Sequence, residues 1–212
     1  MKFFKQIFLV LTLLCAGQAL AVPEAGKDYF VVNPPQPTNS GDKIEVLQFF
    51  FYPCSHCYKL DPFLRAWVKK MPKDVATIDE STIFSDSMEP MARAFYALEA
   101  LRLRQKLHDK LFNALHKKKM DLSEDTTIIE FVVAQGVDRA KFTEAFNSPL
   151  TQVKVARSRQ MAADYAIRGT PTLIVDGRYM IYGLLPKETI KMLDTVVKMV
   201  RKERKEQAGK KI

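Results

Sequence analysis

The chain has 212 residues, enough for one substantial domain with or without an insertion, but not for two large ones. Hydrophobic residues make up 47% of it and no stretch is repetitive, so a compact core is affordable and wholesale disorder is excluded. The formal net charge of +9 invites nucleic acid as a partner, but most of it sits at the two chain ends and the body is close to neutral, so no nucleic acid is expected.

Residues 1–21 differ in character from the rest. Lys2 and Lys5 give a basic start, Ile7 to Leu14 is almost unbroken apolar sequence, and Ala19-Leu20-Ala21 puts small residues at both cleavage-site positions. That order predicts a secretory signal peptide cleaved after Ala21, with an apolar run too short to span a bilayer. Lipid attachment at Cys15 is disfavoured, because bulky Leu14 stands where a lipoprotein signal wants a small residue.

Prolines 23, 34, 35 and 37 predict extended or irregular chain up to Gly41, with a short strand at Tyr29–Val32. Ile44 to Tyr52 (IEVLQFFFY) is β-branched and aromatic and predicts a central buried strand, with Gln48 as its one interior polar group. Leu60, Phe63, Leu64, Trp67, Val68 and Met71 then follow the spacing of a helix with one buried face, kinked at Pro62 and ended by Met71-Pro72. Val75 to Phe84 predicts a second strand.

From about Pro90 to Ala163 the pattern is helical almost throughout. The expected segments are Met91–Leu107, His108–Lys118, Thr126–Ala134, Asp138–Phe146 and Val153–Ala166, punctuated by Gly136 and Pro149. Thr172–Val175, a turn at Asp176-Gly177 and Tyr179–Tyr182 predict a β-hairpin. Pro186–Arg201 closes the chain as a helix with Ile190, Leu193, Val197 and Val200 inward. The tail from Lys198 to Ile212 carries seven Lys or Arg against two acids and reads as a frayed, solvated helix end; an anionic membrane surface is a partner class it does not single out. Joining the early strands to the hairpin across roughly 80 helical residues implies one α/β sheet interrupted by an inserted α-helical subdomain.

The chemistry concentrates in Cys54-Ser55-His56-Cys57. Cleavage after Ala21 would leave this pair as the only cysteines, in a compartment where thiols oxidise. A structural zinc site wants four ligands, usually two close pairs, and only one pair exists; no metal is expected, and His108 and His116 read as helix-surface residues not on one face. A disulfide across two intervening residues closes too small a loop to be an effective staple. A redox role fits better. Cys54 stands where a strand stops and a helix starts, and the helix N-terminus stabilises a thiolate, the reactive form. Cys57 lies one turn on, within reach for a disulfide. His56 adds positive charge when protonated and can orient a donor when neutral. A peptide-binding chaperone module with an incidental disulfide remains the alternative from another class.

These residues carry a resemblance. "VLQFFFYPCSHCYKLDP", the helical insertion and "IRGTPTLIVDGRY" together resemble the DsbA-type thiol:disulfide oxidoreductases of the Gram-negative periplasm, over essentially the whole chain after residue 21. The resemblance implies a thioredoxin fold with an inserted α-helical subdomain: residues 22–88 and 164–212 form the thioredoxin part and 89–163 the insertion. It implies that Cys54 is the sulfur attacked, that Cys57 is the buried resolving partner, and that Thr170-Pro171 is a cis-proline loop whose backbone pairs with an extended substrate segment. The redox-active Cys54–Cys57 disulfide takes the place of a cofactor. The partners implied are reduced, unfolded exported proteins and, for re-oxidation, a DsbB-type membrane oxidase; the enzyme is expected to be a monomer. A reductase or isomerase using the same pair is the nearest alternative. Two departures stand out. Ser55 replaces the proline found between the cysteines of familiar members, leaving a more flexible dipeptide with an extra N–H. Gln48 stands where they carry a buried acid, and removing that charge is expected to make the couple more oxidising.

Overall fold

The computed structural model describes residues 23–210, so the expected signal peptide, its cleavage site and Cys15 lie outside the described residues. The first two strands are β1 (Phe30–Val31) and β2 (Ile44–Phe50). Helix α1 (Ser55–Val68) crosses over to β3 (Val75–Ser81). A 3-10 turn at Asp86–Met88 opens the inserted helical region: α2 (Glu89–Ala100), α3 (Arg104–His116), α4 (Asp125–Ala134), α5 (Arg139–Asn147) and α6 (Pro149–Asp164). Hairpin β4 (Thr172–Val175) and β5 (Tyr179–Tyr182) and the closing helix α7 (Pro186–Gly209) complete the chain.

The strands form one five-stranded sheet in the order β1-β5-β4-β2-β3. Only β2 and β3 run parallel; the crossover helix α1 permits that pairing, and every other pair is antiparallel. All seven residues of β2 are buried, as a strand covered on both faces requires. Its side chains divide the core. Val46 packs with Leu60, Trp67, Leu193 and Val197 under α1 and α7, whereas Leu47 and Phe49 meet Ile174, Tyr165 and Ile167 on the opposite face. At the C-terminal end of the strand, Phe50 enters a third cluster with Tyr52, Cys57, Phe95, Leu111 and Phe146. The redox motif is thus packed into the core of the insertion itself.

Several local expectations change. Gln48 is not the only polar residue inside β2: Glu45 is 2% exposed, its carboxylate satisfied by the Asn39 amide at 2.7 Å and the Ser40 hydroxyl at 2.8 Å. Phe63 does not join the buried face of α1, which runs through Pro62 as one helix and ends at Val68. The expected helix Met91–Leu107 is two helices, because Arg102 adopts a left-handed backbone (φ 57) that closes α2 and redirects the chain into α3. Pro149 starts α6 rather than merely preceding it, with the Ser148 hydroxyl capping the Thr151 amide.

The tail is also more structured than a frayed end. Helix α7 continues to Gly209, held by Arg201 on Asp74 at 2.6 Å and by Arg204 on Asp176 and the Asp42 carbonyl. The hairpin turn has both Asp176 (φ 59) and Gly177 (φ 66) left-handed, the conformation that matches strand twist in a two-residue loop. Gly177 is obligatory for a second reason: a Cβ there would lie 2.0 Å from the Gln36 carbonyl oxygen.

Candidate active site

Cys54 caps α1. Its extended backbone (φ −72, ψ 116) turns the chain out of β2, and its sulfur accepts from the Cys57 amide at 3.4 Å. Behind it, the Cys54 amide donates to the Phe51 carbonyl at 2.9 Å, tightening the turn. Cys57, one helical turn on, is fully buried, while Cys54 is half-buried and reachable. Both are free thiols in this structure.

The two sulfurs differ sharply in acidity. The Cys54 thiol is lowered to about 5, first by the hydrogen bond that the Cys57 side chain donates to it. Burial opposes this, and Thr170 and the backbone N–H groups of Cys57 and His56 add to it. The Cys57 thiol is pushed up, chiefly by burial and then by its neighbour Cys54. One sulfur is therefore a thiolate at neutral pH and the other a thiol, an asymmetry that suits sequential exchange. His56 is exposed, and its contribution to the sulfur runs through its backbone N–H; Ser55, also exposed, opens the helix.

From more than 100 residues away, the loop before β4 reaches the same place. The Thr170–Pro171 bond is cis, and the Cys54 sulfur lies 3.2 Å from the Thr170 carbonyl oxygen. The Thr172 hydroxyl holds the Gly169 carbonyl at 2.8 Å, bracing the loop. Beside Cys54, His56, Thr170, Pro171, Tyr182 and Leu185 line a groove of 360 Å³, with Tyr182 and Leu185 both well exposed. Cys54, Cys57, His56, Ser55, Thr170 and Pro171 are thus brought together. Gln48 is not among them: it is nearly buried and lines a separate 480 Å³ cavity with Asp61, Arg65, Asp79, Arg104 and His108.

Sequence reasoning missed the two histidines of α3. Eight residues turn a helix by only about 80° beyond whole turns, so His108 and His116 share a side after all. His108 joins the Tyr52 hydroxyl (2.9 Å, at Nδ1) to Asp61 (2.7 Å, at Nε2). His116 bonds the Tyr52 carbonyl at 2.7 Å and stacks on Tyr58 with ring centroids 4.7 Å apart. Tyr52 precedes the cysteines by two residues and Tyr58 follows them by one, so α3 clamps the motif from both sides. The only signal for this in the sequence was the spacing itself. Asp61, His108 and Asp109 cluster closely enough to suggest a cation, but Arg65 already supplies one, 3.0 Å from Asp61 and 2.5 Å from Asp109.

Comparison with known proteins agrees with this arrangement. The sequence profile of the DSBA-like thioredoxin domain matches residues 77–193, a span that takes in the insertion and the cis-proline loop but begins after the cysteines. Full-length relatives cover both. A thiol:disulfide interchange protein DsbA of Burkholderia cepacia is 39% identical, over 89% of this chain and 92% of that protein. The protein of the same name from Bordetella parapertussis is 37% identical, over 84% and 87% respectively. The crystal structure of Pseudomonas aeruginosa DsbA superposes with a TM-score of 0.82 at 30% identity, covering 86% of this chain and 97% of that one. The oxidoreductase DsbA from Xylella fastidiosa gives 0.80 at 30% identity, over 85% and 98%. With its thioredoxin-like sheet, its inserted helices and these relatives along most of its length, the chain belongs to the DSBA-like thioredoxin domain family.

Proposed function

We propose that the protein is a thiol:disulfide oxidoreductase that donates a Cys54–Cys57 disulfide to reduced, folding exported proteins. The observation that carries this reading is the asymmetry of the pair: a reachable sulfur lowered to about 5 beside a buried one pushed up. A substrate thiolate attacks Cys54 Sγ of the oxidised enzyme, the Cys54–Cys57 bond breaks, and Cys57 leaves and takes up a proton. A second substrate thiolate then attacks the substrate sulfur of the mixed disulfide and expels Cys54 as a thiolate. Two electrons pass from the substrate dithiol to the enzyme. Because the released thiolate is stabilised, equilibrium favours reduced enzyme and oxidised product; proteins of this family are themselves the standard example of that link.

In this reading Thr170 and Pro171 bind the substrate backbone beside the groove, His56 supplies an N–H to the thiolate, and Ser55 and Gln48 tune the couple. No cofactor beyond the disulfide is used. The working compartment is the periplasm, with residues 1–21 as the export signal, and among the described residues no helix is long and apolar enough to cross a membrane. Re-oxidation falls to a DsbB-type membrane oxidase, and the enzyme works as a monomer. Residues 22–88 and 164–212 act as the redox unit and 89–163 as the insertion covering it.

The test is transfer. Oxidised protein mixed with a reduced, unfolded substrate should lose its disulfide stoichiometrically as the substrate gains one, and Cys54→Ser should abolish transfer. Persistence of the enzyme disulfide would favour the reductase or isomerase reading. Suppression of substrate aggregation that survives Cys54→Ser, with no transfer by the wild type, would favour a chaperone module.

A further inference from the structure

Helix α7 sorts its cations by type. Its arginines turn inward into ion pairs, Arg201 with Asp74 and Arg204 with Asp176. Its lysines do the opposite. Lys187, Lys191, Lys198, Lys202 and Lys205 are all exposed, and at 100° per residue they fall within roughly 60° of the helix circumference. They form one straight row roughly 27 Å long. Among the described residues only Lys202 has an acidic partner, Glu206 at 3.8 Å, on a pair largely open to solvent. The other acids near the row are committed elsewhere: Asp194 accepts from the Trp67 indole at 2.6 Å, and Glu188 from the Leu185 amide at the helix start.

We propose that this lysine row is a docking face for an anionic lipid leaflet. Protein interfaces are built around buried aromatic or apolar anchors, and the row offers none; what lies between and beside its lysines is Glu188, Asp194, Thr195 and Glu206. Single-stranded nucleic acid would need aromatic stacking platforms, which are also lacking here. A charged bilayer surface is recognised by charge alone and is flat on this length scale, so a straight row of flexible ammonium groups matches it. The orientation is useful as well. Pro186 and Thr189, at the start of α7, line the groove beside Cys54, so a helix lying along the leaflet holds that groove at the rim of the contact. The enzyme would then meet membrane-embedded redox partners by a search over a surface. The docking face itself does not depend on the redox reading.

The test uses the full chain without residues 1–21, co-sedimented at low salt with phosphatidylcholine vesicles containing or lacking phosphatidylglycerol. Binding is expected only to the anionic vesicles and should be lost at high salt. Each lysine near such a surface is worth about fivefold in affinity, so the triple variant Lys191→Gln, Lys198→Gln, Lys202→Gln should bind about 100-fold more weakly. A control triple with the same charge change on α3 and the turn that follows it, Lys106→Gln, Lys117→Gln, Lys118→Gln, should bind like wild type. Equal weakening by both triples would overturn the proposal in favour of net charge alone. Absence of vesicle binding, or retention by an acidic polypeptide but not by anionic vesicles, would overturn it in favour of a protein partner or none. Disulfide transfer in solution, measured on the same variants, should be unchanged, which separates a failure of this face from a failure of the active site.

Discussion

At the scale of single residues, the properties of the site follow from where each sulfur sits. Cys54 is reachable and receives hydrogen bonds at a helix start, whereas Cys57 is packed among aromatic rings. Cys57→Ser is therefore expected to trap mixed disulfides formed when the Cys54 thiolate attacks an oxidised substrate, visible as adducts on non-reducing gels, since no Cys57 thiol is present to expel the substrate by closing the enzyme disulfide. Acidity has a thermodynamic consequence. The Cys54 pKa is lower in the folded reduced protein than the ordinary thiol value of 9.0, so its contribution is complete above that value and is lost as pH falls through about 5. The reduced protein should resist urea better than the oxidised one at neutral pH, with the gap closing at about pH 4, where the thiolate is protonated. Gln48 gives a separate expectation. Gln48→Glu would add a carboxylate to a cavity already lined by Asp61 and Asp79, and should make the couple less oxidising; an unchanged or more oxidising potential would remove Gln48 as a tuning residue.

At the scale of elements, the decisive feature is how the insertion grips the motif. His108 spans the Tyr52 hydroxyl and Asp61, both protected from solvent, so His108→Ala leaves the Tyr52 hydroxyl without a partner and Asp61 with Arg65 alone. A loss of about 2 kcal/mol is expected from urea unfolding, with Tyr52→Phe costing less because it leaves no orphaned tyrosine hydroxyl. The closing helix is gripped as firmly at its far end. Arg204→Ala should cost about 2–3 kcal/mol, somewhat below the usual penalty for a broken buried pair because Arg178 stays 3.4 Å from the buried Asp176 carboxylate. This scale also marks how much the sequence disclosed. The order of strands and helices, the hairpin and the buried β2 were legible because period-2 and period-3.6 patterns and the Asp-Gly turn are local signals. The break at Arg102 was not, because no glycine or proline announces a left-handed arginine, and the α7 extension was not, because its stabilising partners Asp74 and Asp176 are distant in sequence. The histidine clamp was hidden for the same reason: its partners lie up to 64 residues away, and nothing local distinguishes a clamping histidine from a solvated one.

At the scale of the whole molecule, a parallel β2–α1–β3 unit presents the cysteines, a distant loop supplies Thr170 and Pro171, and the insertion seals Cys57 from water. The fold thereby makes two chemically identical residues three positions apart behave as an acid of low pKa and an acid of very high one. A titration of thiolate ultraviolet absorbance reads that difference. Reduced protein should show one sigmoidal transition with a midpoint near 5, absent from Cys54→Ser and moved to higher pH in Cys57→Ala, which removes the main hydrogen bond to the sulfur. A transition only near 9, or one that survives unchanged in Cys54→Ser, would contradict the account.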